Sequence, residues 1–550
     1  MDTRADQRTV PVSEKDSEEL TTSLPDISQV DLQREEWISG WKLAAVFSGI
    51  TIVSFLMLLD MSIISTAIPR ITSDFHSLDD VGWYGSSYQL ASAALQPLAG
   101  KLYANFNSKW TFFTFFAVFE LGSLLCGLAS SSKMLVVARA VAGIGGAGIQ
   151  TGTFTIIASS VPMRKRPSLM GLSMGIAQVG MVIGPLLGGA LTEYSTWRWC
   201  FYINLPVGGV VAALIAFIHI PEQLQKPPFL TVVRSIHRQL DLIGFVLFAP
   251  AAIQLLLALQ YGGNDYPWSS PTIIGLFCGA GCTFVVFLVW EYFKGAEAMI
   301  PFDILSNSVV YCSCLNFGFL MSLIICKDYY VPIYFQAVKG ASPLFSGLFR
   351  LPTMVPQLLG ALFVGMLVEW QGYYLPYVLT SSMFNGISSG LMATFMPDTT
   401  TGKWVGYQIL AGVGEGMGIQ LPVVAVQSTL SPPEVPIAMG LLMFSSTLGA
   451  SLFLSLSQTI QNTGLRELLP KYAPNVSAQD VLIAGATGFR RVVSAADLGG
   501  VLVAYSKTID RVFYLCAGCS CACLVVAWGM GWGNIRSEKK EASRSSVETA

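Results

Sequence analysis

The chain reads as a succession of apolar runs separated by short polar breaks. The runs fall at 43–67, 81–100, 110–130, 134–157, 168–192, 200–220, 240–260, 271–292, 309–336, 344–368, 375–396, 404–428, 437–461 and 512–533. A hydrocarbon layer about 30 Å thick takes about 20 apolar residues in a helix, so this pattern predicts fourteen spanning helices. An even count puts both ends of the chain on one side. Short loops on that side carry Lys101, Lys109, Arg164, Lys165, Arg166, Lys226, Arg234, Arg238 and Lys294, while those opposite carry only Arg70, Lys133, Arg198, Lys339 and Lys403. The basic side is therefore expected in the cytoplasm. The long segment 462–511 reads as an outside loop, although it carries several basic residues, and its sequon Asn475-Val-Ser is a candidate glycosylation site.

Composition agrees with this pattern. Of 550 residues 53% are hydrophobic and 12% charged, with a mean hydropathy of +0.57, and a soluble chain carries about twice that share of charge. The class that follows is an all-α polytopic membrane protein. A net charge of -2 and a pI near 6.0 give no reason to expect a nucleic-acid partner. Residues 1–40 hold ten acidic and four basic side chains and no apolar core flanked by basic residues, so 1–42 is expected as a disordered cytoplasmic tail without a signal peptide. A second cytoplasmic tail is expected at 534–550. The eleven cysteines lie mostly in apolar runs, and the cluster Cys516, Cys519, Cys521 and Cys523 has no histidine near it. Neither a disulfide framework nor a metal site is expected, and no cofactor is implied.

An internal repeat divides the chain. Ala142-Gly-Ile-Gly recurs as Ala411-Gly-Val-Gly and Met170-Gly-Leu-Ser-Met as Met439-Gly-Leu-Leu-Met, both 269 positions apart. Gly100-Lys-Leu102 recurs as Gly365-Met-Leu367 at a similar offset. Matching order and spacing predict two homologous six-helix halves, 43–220 and 309–533, with a linker at 221–308 that holds two further helices.

One run stands out: Gly175-Ile-Ala-Gln-Val-Gly-Met-Val-Ile-Gly-Pro-Leu-Leu-Gly-Gly189. Helical spacing stacks Gly180, Gly184 and Gly188 on one face, where another membrane helix can approach at backbone distance, and Pro185 removes an amide donor. The run resembles the antiporter motif of the major facilitator superfamily. Leu59-Asp-Met-Ser-Ile-Ile-Ser-Thr-Ala-Ile-Pro69, Arg139 with Gly143-Ile-Gly-Gly-Ala-Gly148, and Trp197-Arg-Trp-Cys-Phe-Tyr-Ile-Asn-Leu-Pro206 extend the likeness to its fourteen-helix drug/proton antiporter branch, which includes fungal multidrug and toxin exporters. Tyr329-Tyr-Val-Pro-Ile-Tyr-Phe-Gln336 and Gly412-Val-Gly-Glu-Gly-Met-Gly418 add to it in the second half.

That resemblance implies proton-coupled export of small amphipathic organic compounds by alternating access, from a monomer in the cell membrane or, alternatively, the vacuolar membrane. It also implies a cytoplasmic gate at Gly100, Lys109 and Glu369. The first gate loop, Gly100-Lys-Leu-Tyr-Ala-Asn-Phe-Asn-Ser-Lys109, has Ala104 where the family carries an acid, while Glu369 keeps the acid in the partner loop. A solvated helix-end carboxylate is the other reading of Glu369. Positions 269 beyond Gly184 and Pro185 are Phe453 and Leu454, so the glycine seam belongs to the first half, where it is expected to seal the site against proton leak.

Ionisable groups inside the bilayer are costly and are usually paired or wet. Asp60 and Arg139 are expected at similar depth, about 8–12 Å below one face by helical rise, and a contact between them is either a proton switch or a permanent packing pair. Glu120 and Glu415, near mid-membrane, are further candidate proton carriers. Lys327 and Asp328 point about 100° apart on a helix and need separate partners, and Asp328 is the expected counterpart of Asp60. Tyr88, Gln89, Gln96, Gln150 and Gln178 in the first half, with Tyr330, Tyr334, Gln357 and Gln420 in the second, suit a cavity for flat apolar or cationic small molecules. No Gly-x4-Gly-Lys-Ser/Thr occurs, the Gly143–Gly148 string lies in an apolar run with no preceding strand, and His76, His219 and His237 lie at membrane edges or in loops. These facts argue against an ATPase, a dinucleotide enzyme and an intramembrane hydrolase. A secondary transporter is expected. Uptake of a nutrient or siderophore, or a transport-dead sensor, remains open.

Overall fold

The computed structural model describes residues 37–77, 80–223, 226, 229–234, 239–263 and 266–536. The tail expected at 1–42 falls mostly outside them, as does the second tail beyond Arg536. The first half holds α1 (Gly40–Phe75), α2 (Val81–Asn105), α3 (Ser108–Gly127), α4 (Ser132–Ser160), α5 (Arg166–Tyr194) and α6 (Trp199–Ala216). The linker supplies α7 (Leu242–Tyr261) and α8 (Pro271–Lys294). The second half holds α9 (Ser308–Ala337), α10 (Leu351–Gln371), α11 (Leu375–Met392), α12 (Thr401–Thr429), α13 (Val435–Tyr472) and α14 (Leu498–Ala527).

Among the described residues twelve helices are long and apolar enough to cross a membrane. The chain is a multi-pass, all-helical membrane protein. The sequence-predicted runs at 81–100 and 375–396 are also helical, as α2 and α11, but are not among the twelve. Both are diluted by polar side chains that turn inward: Ser87, Ser92 and Gln96 on α2, and Ser381, Ser382, Asn385, Ser388 and Ser389 on α11, are buried. Such groups are tolerated because the bundle satisfies them. Ser381 Oγ, for example, donates to the Gly414 carbonyl at 2.6 Å.

The segment 462–511, read from sequence as a loop, is mostly helical. α13 continues to Tyr472, helical segments broken by a kink at Gly485 cover Ala478–Val492, and α14 begins at Leu498. Polar residues end the apolar run at 461 without ending the helix, because they pair along its surface. Glu467 accepts from Lys471 at 3.2 Å and from Arg511 of α14 at 2.8 Å.

The repeat is visible in the packing. α1 packs on α5 and α6, and α4 on α2 and α3; likewise α9 packs on α13 and α14, and α12 on α10 and α11. The halves meet along two matching seams, α5 with α10 and α13 with α2, and α7 pairs with α8 while covering α2 and α13. The glycine stripe explains how α5 packs on α1 at backbone distance. A methyl at Gly180 would sit 2.6 Å from the Phe55 carbonyl oxygen, one at Gly188 2.5 Å from that of Ile63, and one at Gly184 2.9 Å from the Ile63 amide. Gly175 instead faces Leu358 of α10, and Gly189 faces open space. The second half keeps part of this seam: Gly449, 269 positions after Gly180, lies against the Gly318 carbonyl, and then Phe453 fills the next turn against Phe319.

Candidate functional site

In the first half α1, α4 and α6 gather one buried polar node. Arg139 Nη1 donates to Asp60 Oδ2 at 2.5 Å, with side chains 1% and 0% exposed. Arg139 Nε donates to the Tyr84 carbonyl at 3.0 Å, and its guanidinium lies 4.7 Å from the centre of the Tyr88 ring. Asn204 Nδ2 holds the other oxygen of Asp60 at 3.2 Å and reaches Ser123 Oγ at 3.1 Å. Each charge is thus paired and hydrogen-bonded, the condition under which buried ions are tolerated. Glu120 stands close by on α3, packed on Gly208 of α6, and neither of its oxygens has a hydrogen-bond partner.

The second half carries an ion pair on the equivalent two helices with the signs exchanged. Lys327 Nζ on α9 lies 3.3 Å from Glu415 Oε1 on α12, side chains 2% and 0% exposed, and also donates to Asn385 Oδ1 at 3.2 Å and Ser388 Oγ at 3.4 Å. Glu415, a candidate proton carrier from the sequence, therefore has a charged partner. Asp328, expected as the counterpart of Asp60, turns away from Lys327 and pairs with Arg350 at the start of α10. The sequence reading missed Arg350, Asn204 and the pairing of Lys327. The signal for the last was present, since adjacent opposite charges on a helix cannot serve one another.

Between the halves lies a cavity of about 170 Å³. Tyr88, Gln89, Gln96, Gln150 and Gln178 line it, with Met57, Met61, Met174, Met181 and Met321 supplying much of the apolar wall. Gln96 Nε2 donates to Gln150 Oε1 at 3.1 Å and to Thr447 Oγ1 of α13 at 3.2 Å, joining the two halves across the cavity. Among the described residues no Asp, Glu, Lys, Arg or His lines it. A narrower recess of about 20 Å³ adjoins it, sharing Met174, Gln178, Met181 and Ile419 and ending on Asp328, Arg350 and Gln357. Tyr330, Tyr334 and Gln420 line neither space. The two tyrosines sit in a separate aromatic cluster, Tyr334 stacked 4.7 Å from Phe395, because they lie near the far end of α9. Gln420 donates to the Ala361 carbonyl at 3.0 Å within its own half.

The landmarks of the repeat converge at one end of the bundle, the end that carries Arg164–Arg166. A methyl at Gly100 would lie 2.6 Å from the Pro436 carbonyl oxygen, and one at Gly440 2.5 Å from that of Gln96. On the matching seam, one at Gly365 would lie 2.8 Å from the Pro167 carbonyl oxygen and one at Gly171 2.6 Å from that of Ala361. Ser168 Oγ donates to Glu369 Oε2 at 2.6 Å across this second seam, so Glu369 is bonded rather than free in solvent. Lys109 serves its own half, donating to the Ala216 and Ile218 carbonyls at the end of α6 and just beyond it, at 2.6 and 2.9 Å. The first gate loop, where Ala104 replaces an acid, is held from the linker. Glu222 accepts from Ser108 N at 2.5 Å, and Lys226 donates to the Tyr103 and Phe106 carbonyls, each at 2.8 Å. Burial draws the Lys226 ammonium below its ordinary pKa, against the raising influence of Glu222. Asn475 is exposed and its Nδ2 lies 3.4 Å from Asp497 Oδ1.

Two related half-bundles around a central cavity, with buried charge pairs behind its walls, define a multi-pass membrane transporter. The chain belongs to the Major Facilitator Superfamily, whose sequence profile matches residues 50–454. It is 58% identical over 503 residues to the MFS-type transporter pigP of Monascus ruber, covering 92% of this chain and 88% of that one. It is 50% identical over 526 residues to the efflux pump mlcE of Penicillium citrinum, covering 94% of each. Among solved structures the proton:xylose symporter XylE aligns with a TM-score of 0.53 at 14% identity, over 87% of this chain and 94% of that one, which speaks to the fold alone.

Proposed function

We propose that this protein exports small, uncharged amphipathic organic compounds in exchange for protons, by alternating access of the central cavity. The observation that carries the reading is the separation of charge from cavity: the wall is built of methionine, amide and aromatic side chains, while Asp60–Arg139 and Lys327–Glu415 lie buried behind it. Flexible methionines adapt to varied apolar shapes and amides orient polar groups without demanding a charge. A cation would have to leave water for a wall with no counter-charge, which is unfavourable. Relatives named efflux pumps support the outward direction. The Asp60–Arg139 node is the proposed proton site, because parting the pair during the cycle would strand a carboxylate that a proton then neutralises.

Fourteen spanning helices belong to this proposal. α2 is the packing counterpart of α10, and α11 of α3, and both counterparts are long and apolar enough to span. With that count, the end carrying Arg164–Arg166 faces the cytoplasm, the Gly184 seam limits proton leak, and Asn475 lies on the opposite side in reach of glycosylation.

The test is uptake into inside-out proteoliposomes with an acidic lumen. The uncharged dye Nile red is expected to accumulate only with the pH gradient, ethidium is not, and Asp60→Asn is expected to abolish the gradient-dependent part. Gradient-independent transport by the wild type would remove the proton from the mechanism. Ethidium transport without Nile red transport would reverse the substrate class, and flux of neither would favour a sensor.

A further inference from the structure

The recess beside the central cavity has the makings of a specificity subsite. Arg350 is the N-cap of α10 and Gln357 lies seven positions further on, spacing that returns a helix to nearly the same face. Both line the recess. Both are strongly buried, 8% and 6% exposed. Each keeps a donor in reserve. Arg350 directs its two terminal nitrogens to the backbone and side chain of Asp328, yet its Nε–H has no partner, and neither has the Nε2 amide of Gln357. Unsatisfied buried donors are rare because each costs about 1–3 kcal/mol when left unmade, so two in one small space call for a partner.

We propose that this recess binds the neutral oxygen acceptor of a substrate, a ketone, ester or lactone carbonyl, whose apolar body lies in the central cavity. The inference rests on the central cavity being the substrate site. Charge decides the kind of acceptor. Arg350 is already neutralised by Asp328, so the pair offers a hydrogen bond without net positive charge, and a carboxylate placed beside it would face Asp328 as well. The Lys327–Glu415 pair nearby is likewise internally balanced. Gln178 of α5 lines both the recess and the cavity, so a molecule bridging them touches the two halves at once. An acceptor in the recess would therefore join α10 to α5 across one seam, which makes Arg350 and Gln357 specificity-determining residues.

The probes are 9,10-anthraquinone, anthracene and anthraquinone-2-carboxylate, three flat molecules on related rings, with binding followed by quenching of intrinsic tryptophan fluorescence in the purified full-length protein. Anthraquinone is expected to bind about tenfold more tightly than anthracene, the size of well-placed hydrogen bonds in a dry site. Gln357→Leu and Arg350→Lys, the second retaining the charge opposite Asp328, are each expected to bring the two ligands within about threefold of one another while anthracene binding stays as in the wild type. Equal affinity of anthraquinone and anthracene in the wild type would overturn the subsite and leave the cavity as the substrate site. Tighter binding of the carboxylate than of anthraquinone would overturn the choice of a neutral acceptor. Binding of none of the three would remove the reading of the cavity itself. Persistence of the preference in both variants, with melting curves unchanged, would place the acceptor elsewhere.

Discussion

At the residue scale the governing fact is that each half buries a charge pair on its equivalent helices, Asp60 with Arg139 and Glu415 with Lys327. Asp60 is held by Arg139 and Asn204, whereas Glu415 has Lys327 alone and no hydrogen bond within normal geometry. Removing one member of a buried pair strands the other and typically costs about 3–5 kcal/mol. Lys327→Met is therefore expected to lower the melting temperature in detergent markedly, and the double change Lys327→Met with Glu415→Gln to recover most of it. Transport separates two roles for the pair: recovery of stability with full gradient-driven flux makes it packing, and recovery without flux makes it part of the cycle. A Lys327→Met protein as stable as the wild type would show that the pair holds nothing together. Most of these residues were legible from sequence, because charge inside an apolar run is conspicuous. Their partners were less so. Asp60 with Arg139 followed from depth, but Arg350, near the start of the run at 344–368, was passed over, and Glu415 showed no partner, since distance along the chain says nothing of which helices the fold brings together.

At the element scale the contrast lies between α5 and its counterpart α13. On α5 three glycines one turn apart admit α1 at backbone distance, while on α13 Gly449 keeps one such contact and Phe453 replaces the next. A leucine at Gly184 would meet Ser62 and the Ile63 amide, and overpacking of this kind costs about 1–3 kcal/mol when neighbours can shift, more when they are backbone. Gly184→Leu is expected to abolish gradient-driven export in proteoliposomes while the protein still inserts. Gly189→Leu, on the side with open space, is expected to retain it. Equal flux from the two would end the sealing role of the seam. Helices and halves were readable because both the bilayer and the repeat write themselves into spacing. The ends of α13 and α14 were not, because helix beyond the apolar zone is held by pairs such as Glu467 with Arg511 rather than by hydropathy.

At the scale of the whole molecule, the four glycines of the repeat and the Ser168–Glu369 bond describe one closed end. Gly100 and Gly440 bring α2 against α13, Gly365 and Gly171 bring α10 against α5, and Gln427 of α12 reaches the Phe154 carbonyl of α4 at 3.3 Å. All these contacts join one half to the other, so opening this end must break them together, whereas contacts inside each half can persist through a rigid-body rocking. The seam is therefore the place where a covalent link would act on the cycle without touching the cavity or the charge pairs. Ser168→Cys with Glu369→Cys replaces side chains now 2.6 Å apart at their tips. Cysteine at 369 lacks the two carbons by which the carboxylate reaches Ser168, so the thiols are bridged with a short, reducible bis-methanethiosulfonate reagent; the pair is expected to lose transport when linked and to regain it on reduction, with neither single variant affected by the reagent. The link itself is read as a reagent bridge between the two tryptic peptides by mass spectrometry, which separates it from modification of the eleven native cysteines. Full transport by the linked protein would mean that this end does not open during the cycle, and alternating access across these seams would have to be abandoned.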